Sequence, residues 1–480
     1  MSLKKNFIYS SILTVSTYLF PLIVYPYVSR TLGLSNIGIV NFVDNLVNYF
    51  VFVSMMGITT VGVREIAAAR SDQHKLSATF MSLFSLTIIA TLIAIASLWI
   101  AMYTVPKLAP FRDLLYVGLI KLVFNLFLIE WFFMGIENFK YITKRSILVK
   151  CVYVLSVFLF VNEPSDYKLY YVLSVVMVIV NALINIVYSR RFVRYSFRDV
   201  SLRIFLKPFL IIGIYILFTN VYTFLNPVWL GFVTNTDEVG NFTTATKLHH
   251  IIMAVLLSFS NILFPRVSNL LSEGKVNEFW EKISTAFEAI FLFAFPTIVF
   301  LLIPGPELLH LFVGNGFEGA YLPLRIISPL VLIIGIEQIL VIQILLTKHQ
   351  DNVVLFNSFL GALVAFILNL IITPAMGAPG SAIVWVAAEC VIMVVSALYI
   401  YKKYHYMIPV RRLSLYCLTY APLLPLSYLV LHALGNNLTM LAVQAGIVLL
   451  YATAAELFIL KNKVVLLLLQ SLSRLLHLRK

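Results

Sequence analysis

The 480-residue sequence predicts an all-α polytopic membrane protein with 14 transmembrane helices, two six-helix lobes in parallel pseudo-repeat plus two C-terminal helices. Three observations predict it. Fourteen apolar runs are each about long enough to cross the hydrocarbon at about 1.5 Å rise per helical residue. Lys and Arg crowd into every second gap between runs, as they do in cytoplasmic loops. A Gly/Asn motif at the start of the second run returns six runs later, in the same orientation.

The segments follow in order. Residues 7–28 form the first, with Pro21 and Pro26 inside it. The run is too long for a cleaved signal and has no small-residue cleavage site, so it is expected to stay as a spanning helix. Segments 37–62, 77–105, 113–134, 146–162 and 169–188 complete an N-terminal lobe, residues 1–198. A C-terminal lobe, residues 199–404, holds 205–226, 239–264, 284–303, 321–347, 353–372 and 380–401. Segments 413–432 and 438–460 make up residues 405–460. The tail, residues 461–480, is interrupted by Gln470, Ser471, Ser473, Arg474 and His477, and is expected in the cytoplasmic interface. Pro21, Pro26, Pro227 and Pro296 are hinge or static-kink candidates, because proline removes a backbone donor.

Charge orients the chain. One set of gaps carries Lys4 and Lys5, Arg64 and Arg70, Lys140 to Arg145, Arg190 to Lys207, Arg266 to Lys282, and Lys402 to Arg412. The other offers little beyond Arg30, Lys107, Arg112 and Lys168. Both termini are therefore expected on the cytoplasmic side.

Composition excludes other classes. Hydrophobic residues make up 61% and charged residues 12%, against about 25% charged in soluble domains. The net charge of +14 sits at helix ends and forms no patch for nucleic acid. Cys151, Cys390 and Cys417 lie singly in apolar runs, without metal-ligand spacing. Walker A, HExxH and GxSxG sequences are absent, so ATP hydrolysis and the common hydrolase chemistries lack their residues. A membrane glycosyltransferase or ligase would need a sizeable outer loop. The longest outer gap, near 304–320, carries only Glu307, Glu318 and His310 as ionisable groups. No enzyme, cofactor or metal is expected.

The repeat is explicit at two places. Asn36-Ile-Gly38-Ile-Val-Asn41-Phe42 opens the second segment, with Arg64 at its close. Glu238-Val-Gly240-Asn241-Phe242 opens the eighth, with Arg266 at the same spacing from its glycine. Two such lobes are expected to enclose a substrate cavity near the midplane.

Several motifs resemble one family. Ser29-Arg-Thr-Leu-Gly-Leu-Ser-Asn-Ile-Gly-Ile-Val and Val63-Arg-Glu-Ile-Ala-Ala-Ala-Arg-Ser-Asp72 are similar to the first two helices of bacterial polysaccharide-export flippases. Trp131-Phe-Phe-Met-Gly-Ile-Glu-Asn-Phe-Lys-Tyr-Ile142 resembles a hallmark after the fourth helix, where many members have Gln at the Met134 position. Leu263-Phe-Pro-Arg-Val-Ser268, Pro323-Leu-Arg-Ile-Ile-Ser-Pro329 and Gly377-Ala-Pro-Gly-Ser-Ala382 extend the likeness to about residue 400. The resemblance is to the O-antigen (Wzx-type) branch of the superfamily shared with MATE exporters and lipid II flippases. It implies a V-shaped, alternating-access carrier in the bacterial inner membrane. The cargo would be an undecaprenyl-diphosphate-linked oligosaccharide, with a polysaccharide polymerase and chain-length machinery as partners.

Intramembrane charges cost about 2.5–3.5 kcal/mol each on insertion scales, so they are expected to face a cavity or a partner. Asn41, Asp44, Asn45 and Asn48 share one helix face by i, i+3, i+4, i+7 spacing. Lys247 and His250 fall in the matching register of the eighth segment. A diphosphate needs cations, so Lys247 and Lys121, with Arg30 and Arg325 at the rim, join Asn41, Asn45, Asn48 and His250 as substrate-binding candidates. Asp44, Glu130, Glu337 and Glu389 are either proton- or sodium-coupling groups or members of fixed ion pairs. Lys150, Glu288 and Glu456 are expected near cytoplasmic ends, where snorkelling suffices. The alternative cargo reading is a cation-coupled, MATE-like exporter, which would prefer acidic to cationic lining.

Overall fold

A computed structural model describes residues 3–434 and 438–466. The described backbone is helical and contains no strand. Eleven of its helices are long and apolar enough to cross a membrane. The first of these, Tyr9–Ala69, holds the first two predicted segments. Phe139–Phe160, which carries Lys140, Lys144, Arg145 and Lys150, and Leu202–Val233 are not among the eleven. The chain parses into two compact units, Met1–Gly240 and Asn241–Lys480.

The first unit begins with α1 (Leu3–Met55), which breaks once, at Gly33 with φ 76° and ψ 170°. That backbone suits glycine because it has no Cβ to clash. The helix runs on through Pro21 and Pro26. The second predicted segment ends at Met55 and not at residue 62, and α2 (Ile58–Ala69) continues after the turn. The reason is a close crossing: a Cβ on Gly57 would lie 2.6 Å from the Phe209 carbonyl oxygen and 3.1 Å from the Gly213 nitrogen. α3 (Gln73–Thr104) starts where Asp72 accepts from the His74 and Lys75 amides at 2.9 and 3.2 Å, an N-cap.

The fourth predicted segment is broken into α4 (Arg112–Asn125) and α5 (Glu130–Gly135). The chain between them turns through the Phe127 amide to the Phe124 carbonyl and the Glu130 amide to that of Leu128. Next come α6 (Phe139–Phe160), α7 (Tyr167–Ser189) and α8 (Leu202–Val233). α8 packs on α1, α2 and α3, so the first unit extends well past residue 198. Lys107 caps its far end, donating to the Phe232 and Thr234 carbonyls at 2.7 and 2.9 Å. An aromatic core stacks Phe80 on Phe84 and Trp131, with Phe132 edge-on.

α9 (Thr236–Ser272) starts inside the first unit. Its Gly240 meets Gly38, and a Cβ on Gly38 would lie 1.9 Å from the Thr236 carbonyl oxygen. The two glycines of the sequence repeat are thus a point of backbone contact.

The second unit adds α10 (Val276–Leu302), α11 (Gly305–Val313), α12 (Tyr321–Ile327) and α13 (Leu330–Glu337). Pro329 interrupts the tenth predicted segment, since it has no N–H to continue the ladder. A nine-residue π-helical stretch, Gln338–Leu346, follows α13 directly. α14 (Asp351–Ile371) and α15 (Thr373–Tyr404) pack closely where Gly361 faces Ile392 and the Ala388 carbonyl. α15 breaks at Gly377, with φ 61° and ψ −133°. The unit closes with α16 (Val410–Tyr420), α17 (Leu423–Leu434), α18 (Leu438–Ala454) and a π-turn, Ala455–Ile459. Residues 467–480 of the expected interfacial tail lie outside the described residues.

Candidate functional site

The first polar cluster belongs to α1 and α4. Lys121 Nζ donates to Asp44 Oδ1 at 2.6 Å and to Asn48 Oδ1 at 2.8 Å, and Asn48 Nδ2 donates to Asp44 Oδ2 at 3.0 Å. Asp44 and Asn48 sit one turn apart on the same helix face, so a single lysine bridges both. The Lys121 side chain is 13% exposed and that of Asp44 34%. Asp44 is therefore ion-paired, and two of the three Lys121 ammonium protons are engaged. Asn45 bonds within its helix, to the Asn41 carbonyl at 2.8 Å, and Asn41 is buried. Tyr153, Tyr170 and Tyr171 of α6 and α7 lie within electrostatic reach of Asp44.

Glu130 is ion-paired as well. It opens α5 and bonds Arg145, which is buried and also donates to Asn185. Tyr141 adds a bond to Asn185 Oδ1 at 3.2 Å and holds its ring 5.7 Å from the guanidinium. Sequence reading placed Arg145 in a loop and left Asn185 aside. Both fall beside basic or apolar runs, which give no sign of a buried pair.

The second unit holds a different chemistry. Trp385 Nε1 donates to Glu389 Oε1 at 3.0 Å, and Glu337 lies beside Glu389. The Trp385 ring lies 5.4 Å from both His249 and His250. His249 is fully buried and neither ring nitrogen has a hydrogen-bond partner; one Glu337 oxygen is buried in the same condition. The sequence singled out His250. Its neighbour His249 is the deeper ring, and only the helix rotation set by packing tells them apart.

The remaining candidates scatter. Lys247 is half-buried on α9. Arg30 is exposed just before the Gly33 break. Arg325 is engaged at a helix end, donating from Nε to the Leu302 carbonyl at 3.0 Å.

Snorkelling does not describe Glu288, Glu456 or Lys150. Glu288 is 6% exposed and Glu456 fully buried. Arg412 binds Glu288 at 2.9 Å, while Tyr416 and Tyr420 donate to Glu456 at 2.9 and 3.1 Å. Asn462 donates to Tyr416 Oη at 2.6 Å, closing a network that fastens α16 and the final π-turn to α10. Lys150 instead faces two hydroxyls of α1. Among the described residues, no three His, Cys, Asp or Glu converge as metal ligands.

A family model described as "Polysaccharide biosynthesis protein" matches residues 3–271. Relatives named "Putative O-antigen transporter" occur in Escherichia coli (strain K12) and Shigella dysenteriae. Each is 26% identical to this chain, covering 82% of it and 95% and 98% of the relatives. The solved structure of the lipid II flippase MurJ, inward closed conformation, is similar with a TM-score of 0.78 at 14% identity. That match covers 94% of this chain and 98% of that one. An outward-facing multidrug resistance MATE family transporter is similar at a TM-score of 0.55 and 16% identity, over 82% of this chain and 94% of its own.

Proposed function

Because the chain belongs to the polysaccharide biosynthesis protein family, we propose that it is a flippase that moves an undecaprenyl-diphosphate-linked oligosaccharide across the inner membrane by alternating access. It is a multi-pass membrane transport protein and not a catalyst. The names of the O-antigen relatives and of the flippase of like fold support the cargo. The observation that carries the reading is the half-buried Asp44–Asn48–Lys121 cluster on apolar helices. Each sugar hydroxyl entering hydrocarbon without a partner costs about 4–8 kcal/mol. A carrier for sugars needs polar groups at depth, and this cluster supplies them. Asn41, Asn45 and Arg30 in the first unit, and Lys247, His250 and Arg325 in the second, are each further binding candidates in this reading.

Fourteen spans fit this reading. Tyr9–Ala69 counts twice, across the Gly33 break, and the charged Phe139–Phe160 and Leu202–Val233 join the eleven. Charge bias then puts both termini in the cytoplasm.

Outward movement of an anionic head group gains about 2.3 kcal/mol per charge per 100 mV. Proton exchange at the neighbouring carboxyls Glu337 and Glu389 is a second contribution in this reading. The same pair also suits a cation-coupled exporter. Purified protein in vesicles with a fluorescent polyprenyl-diphosphate glycan separates the readings. Translocation that accelerates with an imposed potential is expected. Absence of lipid movement, together with export of organic cations driven by a pH gradient, would overturn the flippase reading.

A further inference from the structure

Lys348 follows the π-helical stretch of the second unit and places its ammonium among three rings. Nζ lies 5.2 Å from the ring centres of Phe279 and Trp280 and 4.6 Å from that of Tyr404. Phe279 and Trp280 stand near the start of α10 and Tyr404 ends α15, so the cage is built by separate elements. Trp280 is held flat against Tyr406, with ring centres 4.5 Å and planes 17° apart. Ring faces attract a cation, more so when it is partly desolvated. Lys348 is half-buried, and that burial lowers its pKa from the usual lysine range.

A second ammonium stands at the same ring. Lys403 Nζ lies 5.7 Å from the Tyr404 centre, and it donates to Gln350 Oε1 at 2.6 Å and to Tyr399 Oη at 3.0 Å. Gln350 links the two lysines. Its Nε2 donates to the Lys348 carbonyl at 3.0 Å, and its Oε1 also accepts from Tyr399 at 2.7 Å. The backbone between Lys348 and Gln350 is left-handed at His349, with φ 54°, and the one after Tyr404 is left-handed at His405, with φ 52°. Residues other than glycine take this backbone rarely, and they hold it where the surrounding contacts over-determine it.

Two like charges at one ring repel. Among the described residues neither ammonium has an ion-pair partner, and no carboxylate acts electrostatically on either. Lys348 Nζ makes no hydrogen bond among those residues, and Lys403 has given two of its three protons. Protons on two fixed cations therefore remain for an acceptor outside the chain. A carboxylate would neutralise one charge. A phosphoryl group brings up to two charges and three acceptor oxygens, which matches two ammonium groups.

We propose that Lys348 and Lys403, set by Gln350 and the cage of Phe279, Trp280 and Tyr404, form a site for a phosphoryl dianion, carried by a soluble phosphate compound or by a lipid headgroup. The site lies wholly in the second unit and shares no residue with the Asp44–Asn48–Lys121 cluster. It stands whether or not the chain is a flippase.

The full-length protein in detergent is titrated calorimetrically with inorganic pyrophosphate and with acetate. Native mass spectrometry then compares retention of phosphatidic acid with that of phosphatidylcholine. Lys348→Met keeps an apolar chain in the cage without the charge, Lys348→Arg keeps the charge, and Lys403→Gln removes the second cation. Lys402→Gln, at the exposed neighbour, controls for general attraction to a basic surface. Pyrophosphate binding, preferred retention of phosphatidic acid, or both are expected. Either should weaken by about tenfold or more in Lys348→Met and in Lys403→Gln, and persist in part in Lys348→Arg. Pyrophosphate binding without a lipid preference assigns a soluble ligand, and the reverse assigns a headgroup. The site is overturned when neither probe binds, when acetate binds as well as pyrophosphate, or when both charge-removing variants bind like the wild type. It is overturned equally when Lys402→Gln costs as much as Lys403→Gln. Unfolding temperatures are read on every variant. Lys403 is exposed, so its loss of binding at an unchanged unfolding temperature separates a lost contact from a folding defect.

Discussion

Asp44 and Lys121 show how a single residue's meaning depends on its neighbour. Either alone on an apolar helix is an exposed cost of a few kcal/mol, and together they are a pair 2.6 Å apart that also holds Asn48. Removing one partner leaves the other charged and half-buried. Asp44→Asn and Lys121→Met should each destabilise by about 1–3 kcal/mol, below the fully buried range because Asp44 keeps part of its surface exposed. The double variant should lose less than the sum, and a double-mutant cycle in thermal unfolding reads this directly. Additive losses would mean the pair has no coupling. The acids in the second unit follow other rules. Glu337 and Glu389 are neighbours with a tryptophan donor on Glu389, and among the described residues neither has an ion-pair partner.

At the scale of elements, glycine decides where helices stop and where they touch. Prolines looked like the hinges in sequence, yet α1, α8 and α10 continue through Pro21, Pro26, Pro227 and Pro296. The non-helical backbone inside long elements falls at Gly33 and Gly377. Two glycines of similar sequence context make different demands. Gly33 has open space around its Cβ position but a positive φ, so Gly33→Ala should cost about 1–2 kcal/mol of backbone strain. Gly38 has ordinary helical backbone but meets the Thr236 carbonyl, so Gly38→Ala must push α9 away and should cost more. Unfolding midpoints of the two variants test the order, and equal losses would remove the steric account of the repeat glycines. The breaks at Met56–Gly57, residues 126–129 and Pro329 were beyond sequence reading for a common reason. Hydropathy stays high across them, and only a crossing helix or a turn of the backbone marks the interruption.

For the whole molecule, charge and hydropathy together predict fourteen spans with both termini on the cytoplasmic side. With Cys151, Cys390 and Cys417 replaced, a cysteine at Lys403 should react with a membrane-impermeant maleimide only from the cytoplasmic side. A cysteine at Glu318 should react only from outside. Labelling of both from one side would overturn the fourteen-span topology. The contact-defined units, Met1–Gly240 and Asn241–Lys480, are built differently inside: ion pairs dominate the first, and the carboxyl pair with its buried histidine marks the second.

The sequence by itself determined the all-helical membrane class, the family resemblance, the glycine repeat and most helix positions. Bilayer thickness and hydropathy act on each segment separately, so no tertiary information is required. It also picked Asp44, Lys121, Glu337 and Glu389 as interior charges worth attention. Which of these pair, and with what, was decided by tertiary structure alone. Lys121 lies 77 residues from Asp44, Glu389 lies 52 from Glu337, and Lys150 lies 134 from Ser16. No local pattern connects positions so distant. Helix rotation and packing bring them together, and so convert isolated charges into an ion pair, neighbouring carboxyls and an ammonium held by hydroxyls.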